Sequence, residues 1–409
     1  MIRHLPLLSF YFLLGFCFQF PSVAFRYWLM DTVRVSPAQM DAISGVMSIP
    51  WCFKPLYGFI SDSYPIHGFR RRPYMILTAF VSAFAWIAVP FCPHDEFVIS
   101  LAMALASFGM CFADVMVDSV LVELARQESD KNKGVIQSWS WMMRFSGGLV
   151  ASVLGTIAYD YCGPTQVFLM NAMIPVLVAY AAWGIPDAPP DKKIHWKDTM
   201  KQVCNALCQT SILKPAAFIF IICATPGYGG VMTFFYEREL GFTPTEFGSL
   251  DVMGHIVSII GTLIYKRCLR NVPFRKIFAI SLIVSFLLEN TLFFLVFHTN
   301  RLWGIPDFWF AFIERSVLTL VSQFMTMPMV VLGARLCPVG IEGTLYALLM
   351  SISNIGGVVG SEWGAVLTNM FGVTGTNFAN LWKLMLLCHA LDLIPLACLP
   401  LLRSTETAI

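Results

Sequence analysis

Asp114 and Asp118 stand four positions apart inside a long apolar run, in the stretch Ala113-Asp114-Val115-Met116-Val117-Asp118. On a helix that spacing puts both carboxyls on one face, about one turn from each other. Two like charges so close disfavour double ionisation, so the pair can carry a proton. Arg144, within Trp139-Ser140-Trp141-Met142-Met143-Arg144, is a cation that either carboxyl can take as partner, and both readings, proton carrier and ion pair, stay open. Lys54, between Trp51 and Pro55, and Arg315, beside Glu314, can each hold a solute carboxylate or be neutralised by a neighbouring acid. Glu362, eight residues after Asn354 and nearly on the same face, is a further cavity candidate. Tyr228 sits in Pro226-Gly227-Tyr228-Gly229-Gly230, which should interrupt a helix and offer a ring face to a flat ligand or to packing.

The elements that carry these residues are membrane spans. The chain is 57% hydrophobic and 13% charged, against about 25% charged in soluble proteins. Apolar windows long enough to cross hydrocarbon as helix recur twelve times, among them 38–60, 97–125, 214–239, 274–298, 308–334, 343–370 and 378–402. An ionisable residue inside such a window is costly and is a site candidate for that reason. Lys and Arg concentrate in alternate loops, which puts both termini on the cytoplasmic side. The twelve cysteines show no secreted-type spacing and are expected as free thiols.

A polar, Pro- and Lys-rich stretch divides the spans six and six, giving an N-terminal bundle at 1–186, a cytoplasmic linker at 187–213 and a C-terminal bundle at 214–409. The halves match at an offset near 208: Ser36-Pro37-Ala38-Gln39 against Thr243-Pro244-Thr245-Glu246, and Gly147-Gly148 against Gly356-Gly357. The first match is a helix-start signal, a capping hydroxyl followed by proline. Positions matching the two aspartates hold Gln323 and Met327, so the acidic face belongs to one half. The expected fold is an all-α membrane protein of twelve transmembrane helices in two pseudo-symmetric six-helix bundles.

Between the second and third spans, Asp62 ends one helix and Arg70, Arg71 and Arg72 open the next, so acid and base can latch two helices across a short loop. Lys54-Pro55-Leu56-Tyr57-Gly58, Ser61-Asp62, Pro65, Gly68 and Arg70-Arg71-Arg72-Pro73 resemble the folate-biopterin transporter family of the major facilitator superfamily, with a longer Asp-to-Gly spacing than the superfamily pattern. Ala113–Asp118 with Glu123-Leu124-Ala125-Arg126 is similar to that family's acidic fourth-helix motif. The resemblance implies a secondary transporter moving folate or a pterin by alternating access, with Asp62, Arg70, Arg71, Arg72, Glu123 and Arg126 as a cytoplasmic gate. Asp114, Asp118 or Glu362 would accept from the amino-pyrimidine edge, and Arg144, Lys54 or Arg315 would hold a folate carboxylate. Protons are the expected coupling partner and a monomer the expected state.

Other classes fit less well. The seven histidines include no pair at metal-ligand spacing, and neither a nucleophile elbow nor a phosphate-cradling loop occurs, so neither metal nor cofactor is expected. The alternatives are a carrier of another small metabolite on the same fold, or a membrane-embedded enzyme. A net charge of +2 spread over separate loops gives no nucleic-acid surface. The short polar start, Met1-Ile2-Arg3-His4, leaves no room for an organelle transit peptide, so the plasma membrane, or another endomembrane reached by the secretory route, is expected.

Overall fold

The computed structural model describes residues 4–126, 135–187, 205, 208–270, 272–335 and 342–402. The chain is all-α; the extended pairing among these residues is two isolated bridges, Ile66 with Phe69 and Thr374 with Asn377. The helices that matter for the sites are α1 (Leu5–Gln19), α2 (Pro37–Ser48), α3 (Lys54–Ser63), α4 (Arg72–Ala88), α5 (Glu96–Arg126), α6 (Val135–Cys162) and α7 (Pro164–Trp183). They continue as α8 (Thr210–Cys223), α9 (Gly229–Phe234), α10 (Pro244–Ile264), α11 (Phe274–Glu289), α12 (Leu292–Val296), α13 (Asp307–Arg335), α14 (Glu342–Met370), α15 (Leu381–Leu391) and α16 (Ile394–Cys398).

Among the described residues, nine helical stretches are long and apolar enough to cross a membrane. Two further expected spans are broken, and proline explains both. Pro50 and Pro55 lack the N–H that a continuous helix needs, so the chain tightens into a 3-10 turn over Ile49–Phe53 between α2 and α3. Pro226 cannot bond to the Ile222 carbonyl, and the chain leaves the helix between α8 and α9, where the Pro-Gly run leads the sequence to break. The twelfth, α14, is continuous.

The matched helix starts fold alike. The Gln39 N–H donates to Ser36 Oγ at 3.2 Å while the Ser36 N–H donates to Gln39 Oε1 at 2.7 Å. Thr243 and Glu246 make the same reciprocal pair at 3.3 and 2.7 Å. Each box satisfies two N–H groups that the first turn would otherwise leave unpaired.

By their contacts the residues form two compact units: Met1–Trp28 with Met47–Ala206 and Cys337–Ser351, and Leu29–Val46 with Leu207–Leu336 and Ile352–Ile409. In the first unit α1 and α6 meet backbone to backbone. A Cβ on Gly15 would lie 1.9 Å from the Arg144 carbonyl oxygen, one on Gly147 2.0 Å from that of Phe12, and one on Gly155 2.1 Å from that of Phe20. Lipid supplies no hydrophobic drive for helix association, so such close approach carries the packing. In the second unit α14 packs on the unwound 224–228 segment, with Gly360 and Gly364 set against the Thr225 and Gly227 carbonyls.

Gly147→Leu forces α1 and α6 apart and is expected to cost about 3 kcal/mol or more. Gly254→Ala, where an added Cβ meets nothing within 4 Å, should leave stability unchanged or raise it by up to about 1 kcal/mol. Melting of both purified variants in detergent checks this; equal melting would show that the glycine contacts do not hold the helices.

Candidate functional site

In the first unit, Asp114 is 1% exposed and gathers two cations. Lys54 Nζ donates to its Oδ2 at 2.9 Å and Arg144 Nη1 to its Oδ1 at 2.7 Å. Lys54 reaches it because the 3-10 turn sets the start of α3 against α5, with the Trp51 indole N–H donating to Ser107 Oγ at 2.9 Å. Both cations also lie on aromatic faces: Lys54 4.7 Å from the Trp51 ring, and Arg144 5.5 Å from both Phe18 and Trp141. Asp118, one turn on, takes no cation within bonding distance among the described residues. Its Oδ1 accepts from the Tyr11 hydroxyl at 2.6 Å. With all four charges present, two cations and two carboxylates leave the cluster neutral. Thus the ion-pair reading of the sequence holds for Asp114 and leaves Asp118 with a neutral partner.

At the α3–α4 turn Asp62 stands in ion-pair range of Arg70 and Arg71, as the sequence leads one to expect, and Glu123 lies closer still. The Arg71 guanidinium donates to Glu123 Oε1 at 2.7 Å, while Asp62 Oδ1 stands 3.7 Å from Arg71 and 3.8 Å from Arg70. Arg70 also approaches Glu123 at 3.7 Å. Burial pushes the Asp62 carboxyl above its ordinary range, and the two arginines pull it back. Asp187 is a further anchor: its Oδ2 accepts from the N–H groups of Arg71 and Arg72, each at 2.9 Å, at the start of α4. Arg72 donates to the Ile185 carbonyl at 2.9 Å. The side chain of Arg126 and linker residues 188–204, 206 and 207 lie outside the described residues.

The second unit holds the remaining candidates. Arg315, with a side chain 42% exposed, faces Asp251 at 3.7 Å across α13 and α10, not the adjacent Glu314. Neighbours on a helix point about 100° apart, which is why the pairing with Glu314 fails. Glu362 lies against α2, where a Cβ on Gly45 would meet its Oε1 at 2.5 Å. On the same helix Asp41 Oδ1 accepts from the Gly230 N–H at 2.7 Å. Tyr228, in the unwound segment, meets His389 Nε2 at 2.6 Å, and His389 Nδ1 faces Asn290 Oδ1 at 3.5 Å. With its proton on Nδ1 the ring would donate to Asn290 and accept from the tyrosine at Nε2; the opposite tautomer would donate to the tyrosine.

Sequence reasoning missed His389, Glu289 and Asp392, although both acids lie inside apolar windows and meet the criterion that picked Asp114. It also missed Asp187, whose role as a helix-start anion needs the fold.

Residues 14–408 match the BT1 family. Over 405 residues the chain is 36% identical to a protein of Synechocystis sp. described as a folate-biopterin transporter, covering 98% of this chain and 82% of that one. A protein of Plasmodium falciparum described as folate transporter 1 is 26% identical, covering 90% of this chain and 74% of its own. Among solved structures, the nucleoside transporter NupG superposes with a TM-score of 0.74 at 13% identity, over 98% of this chain and all of that one. The fold is therefore that of the major facilitator transporters, a multi-pass membrane protein.

Asp114→Asn leaves two buried cations sharing one amide oxygen and is expected to cost about 3–5 kcal/mol. Asp118→Asn keeps an oxygen for Tyr11 and should cost less. Thermal melting of the two variants in detergent is the measurement, and an Asp118 variant that melts as low as the Asp114 variant would contradict the pairing.

Proposed function

Because the chain belongs to the BT1 family, we propose that it is a carrier of folate or an unconjugated pterin, driven by protons and working by alternating access. The observation that carries this reading is the likeness over 98% of the chain to a protein described as a folate-biopterin transporter. The chemistry of the first unit suits it. Lys54 and Arg144 each offer donors beyond those spent on Asp114, and both lie on indole or phenyl faces. A solute that combines a flat ring with a carboxylate fits such a place, the ring on the aromatics and the carboxylate on the guanidinium. Glu362, Tyr228 and Arg315 are the candidate contacts of the second unit.

The gate reading assigns Arg70, Arg71, Arg72, Glu123, Arg126 and Asp62 to a latch between α3, α4 and α5 on the cytoplasmic side, with Glu123 as its principal acid. Both termini share that side, a reading that rests on the alternation of basic loops.

Uptake of labelled folate into proteoliposomes, competed by unlabelled biopterin, with the converse pair measured alongside, tests the substrate. Saturable uptake of at least one and competition by the other are expected. No uptake of either compound would sink the assignment.

Asp118 is the proposed proton carrier of the first unit, since its single described partner is a neutral hydroxyl. Asp118→Asn should bind and exchange substrate in counterflow but accumulate it less steeply under an imposed pH gradient. Accumulation at the wild-type level would return Asp118 to a structural role.

A further inference from the structure

The α8–α9 break stands near the middle of the 214–239 window, and three helices of the second unit hold it in one shape. The Gly227 N–H donates to the Gly360 carbonyl of α14 at 3.3 Å, and the Gly230 N–H to Asp41 Oδ1 of α2 at 2.7 Å. Between them the Tyr228 hydroxyl meets His389 Nε2 of α15 at 2.6 Å, and Phe293 meets the His389 ring edge-on with centroids 5.5 Å apart. Between these pins the backbone is bare. Gly227 and Gly229 are exposed, and a Cβ on either would meet nothing within 4 Å. Neither the Tyr228 nor the Gly229 N–H is taken by an acceptor among the described residues. Backbone groups left unpaired at this depth are not tolerated against lipid, so the open side of the break faces water or a solute.

Asp41 is an independent sign of a ligand. It is 9% exposed, and while its Oδ1 takes the Gly230 N–H, its Oδ2 has no hydrogen-bond partner among the described residues. A buried carboxylate oxygen left without a donor is costly, and a donor brought to it recovers that cost. The carboxyl stands hard against the break: a Cβ on Gly230 would lie 2.9 Å from Asp41 Cγ. An aromatic ring, bare backbone and a carboxylate with a free oxygen thus meet along four residues of chain. Together they suit a flat heterocycle that carries N–H donors on one edge.

We propose that the Gly227–Gly230 break is the seat of the solute's flat ring, which lies on Tyr228 over the bare glycines and turns its amino-pyrimidine edge to Asp41. His389 is the positioning residue of this seat, because it holds the Tyr228 hydroxyl and so fixes the angle of the ring that the solute stacks on. Asp41 Oδ2 is covered in this conformation, and the edge reaches it when α2 shifts against the break during the transport cycle. The proposal rests on the folate and pterin reading above. It assigns to Asp41 the acceptor role for which the sequence offers Asp114, Asp118 or Glu362. The seat reads the ring that folate and unconjugated pterins share, so both solutes depend on it.

Asp41→Asn keeps an oxygen for the Gly230 N–H and puts an amide donor where Oδ2 stands, against the donors of the solute. Titration calorimetry in detergent should show folate and biopterin both bound about tenfold or more weakly by this variant. Tyr228→Phe and His389→Leu should each weaken both solutes, and the double variant no more than the worse single one, since His389 acts through the hydroxyl. Additive losses would return His389 to packing alone. Gly229→Cys tests the open side without a substrate. A charged, water-soluble methanethiosulfonate should modify it in proteoliposomes, read by mass spectrometry of the peptide that holds residue 229, and saturating folate or biopterin should slow the reaction. No modification, modification that a transported solute does not slow, or wild-type affinity of Asp41→Asn for both solutes overturns the proposal. Modification of Gly229→Cys in a protein that takes up neither compound would overturn the folate reading alone.

Discussion

The first unit depends on one carboxylate. Asp114 is buried where water cannot solvate it, so its charge persists only with compensation, and the two cations that compensate it come from α3 and α6. A residue of α5 thereby fixes two other helices. The constraint extends to the backbone: the Arg144 carbonyl lies against Gly15 of α1, so any side chain there would push aside the residue whose guanidinium closes the pair. Helix contact and charge compensation are thus a single requirement at this point.

The second unit handles buried charge in another way. Where the chain unwinds before α9, the Gly230 N–H freed at the break holds Asp41. Arg315, half exposed, answers Asp251.

Much of the fold was legible because membrane spans are set by local rules. Apolar windows marked the helices, Pro226 and Gly227 marked the break between α8 and α9, and the Ser36-Pro37 and Thr243-Pro244 matches marked two helix starts that fold with the same reciprocal caps. Pairings across the fold were less legible. Asp114 and Asp118 announce each other by their spacing, but the Lys54 partner lies 60 positions away. Arg315 was read against its chain neighbour Glu314 and instead reaches another helix. Glu289 and Asp392 each stand alone in an apolar window, with no second acid one turn away to mark them. Asp187 carries its role only through the N–H groups of a helix that starts more than a hundred residues earlier.

Charge balance links the first unit to the solute it is proposed to carry. Its cluster is neutral with Lys54, Arg144, Asp114 and Asp118 all ionised, so a carboxylate that takes Arg144 adds a negative charge in a place that disfavours net charge. Asp114 keeps Lys54 in that exchange and has the stronger claim on it. Asp118, bonded to the Tyr11 hydroxyl alone, is the group that restores neutrality most readily by taking up a proton. Under the proposed function, one carboxylate entering would call for one proton entering, because the same buried cations cannot serve two carboxylates and a solute at once.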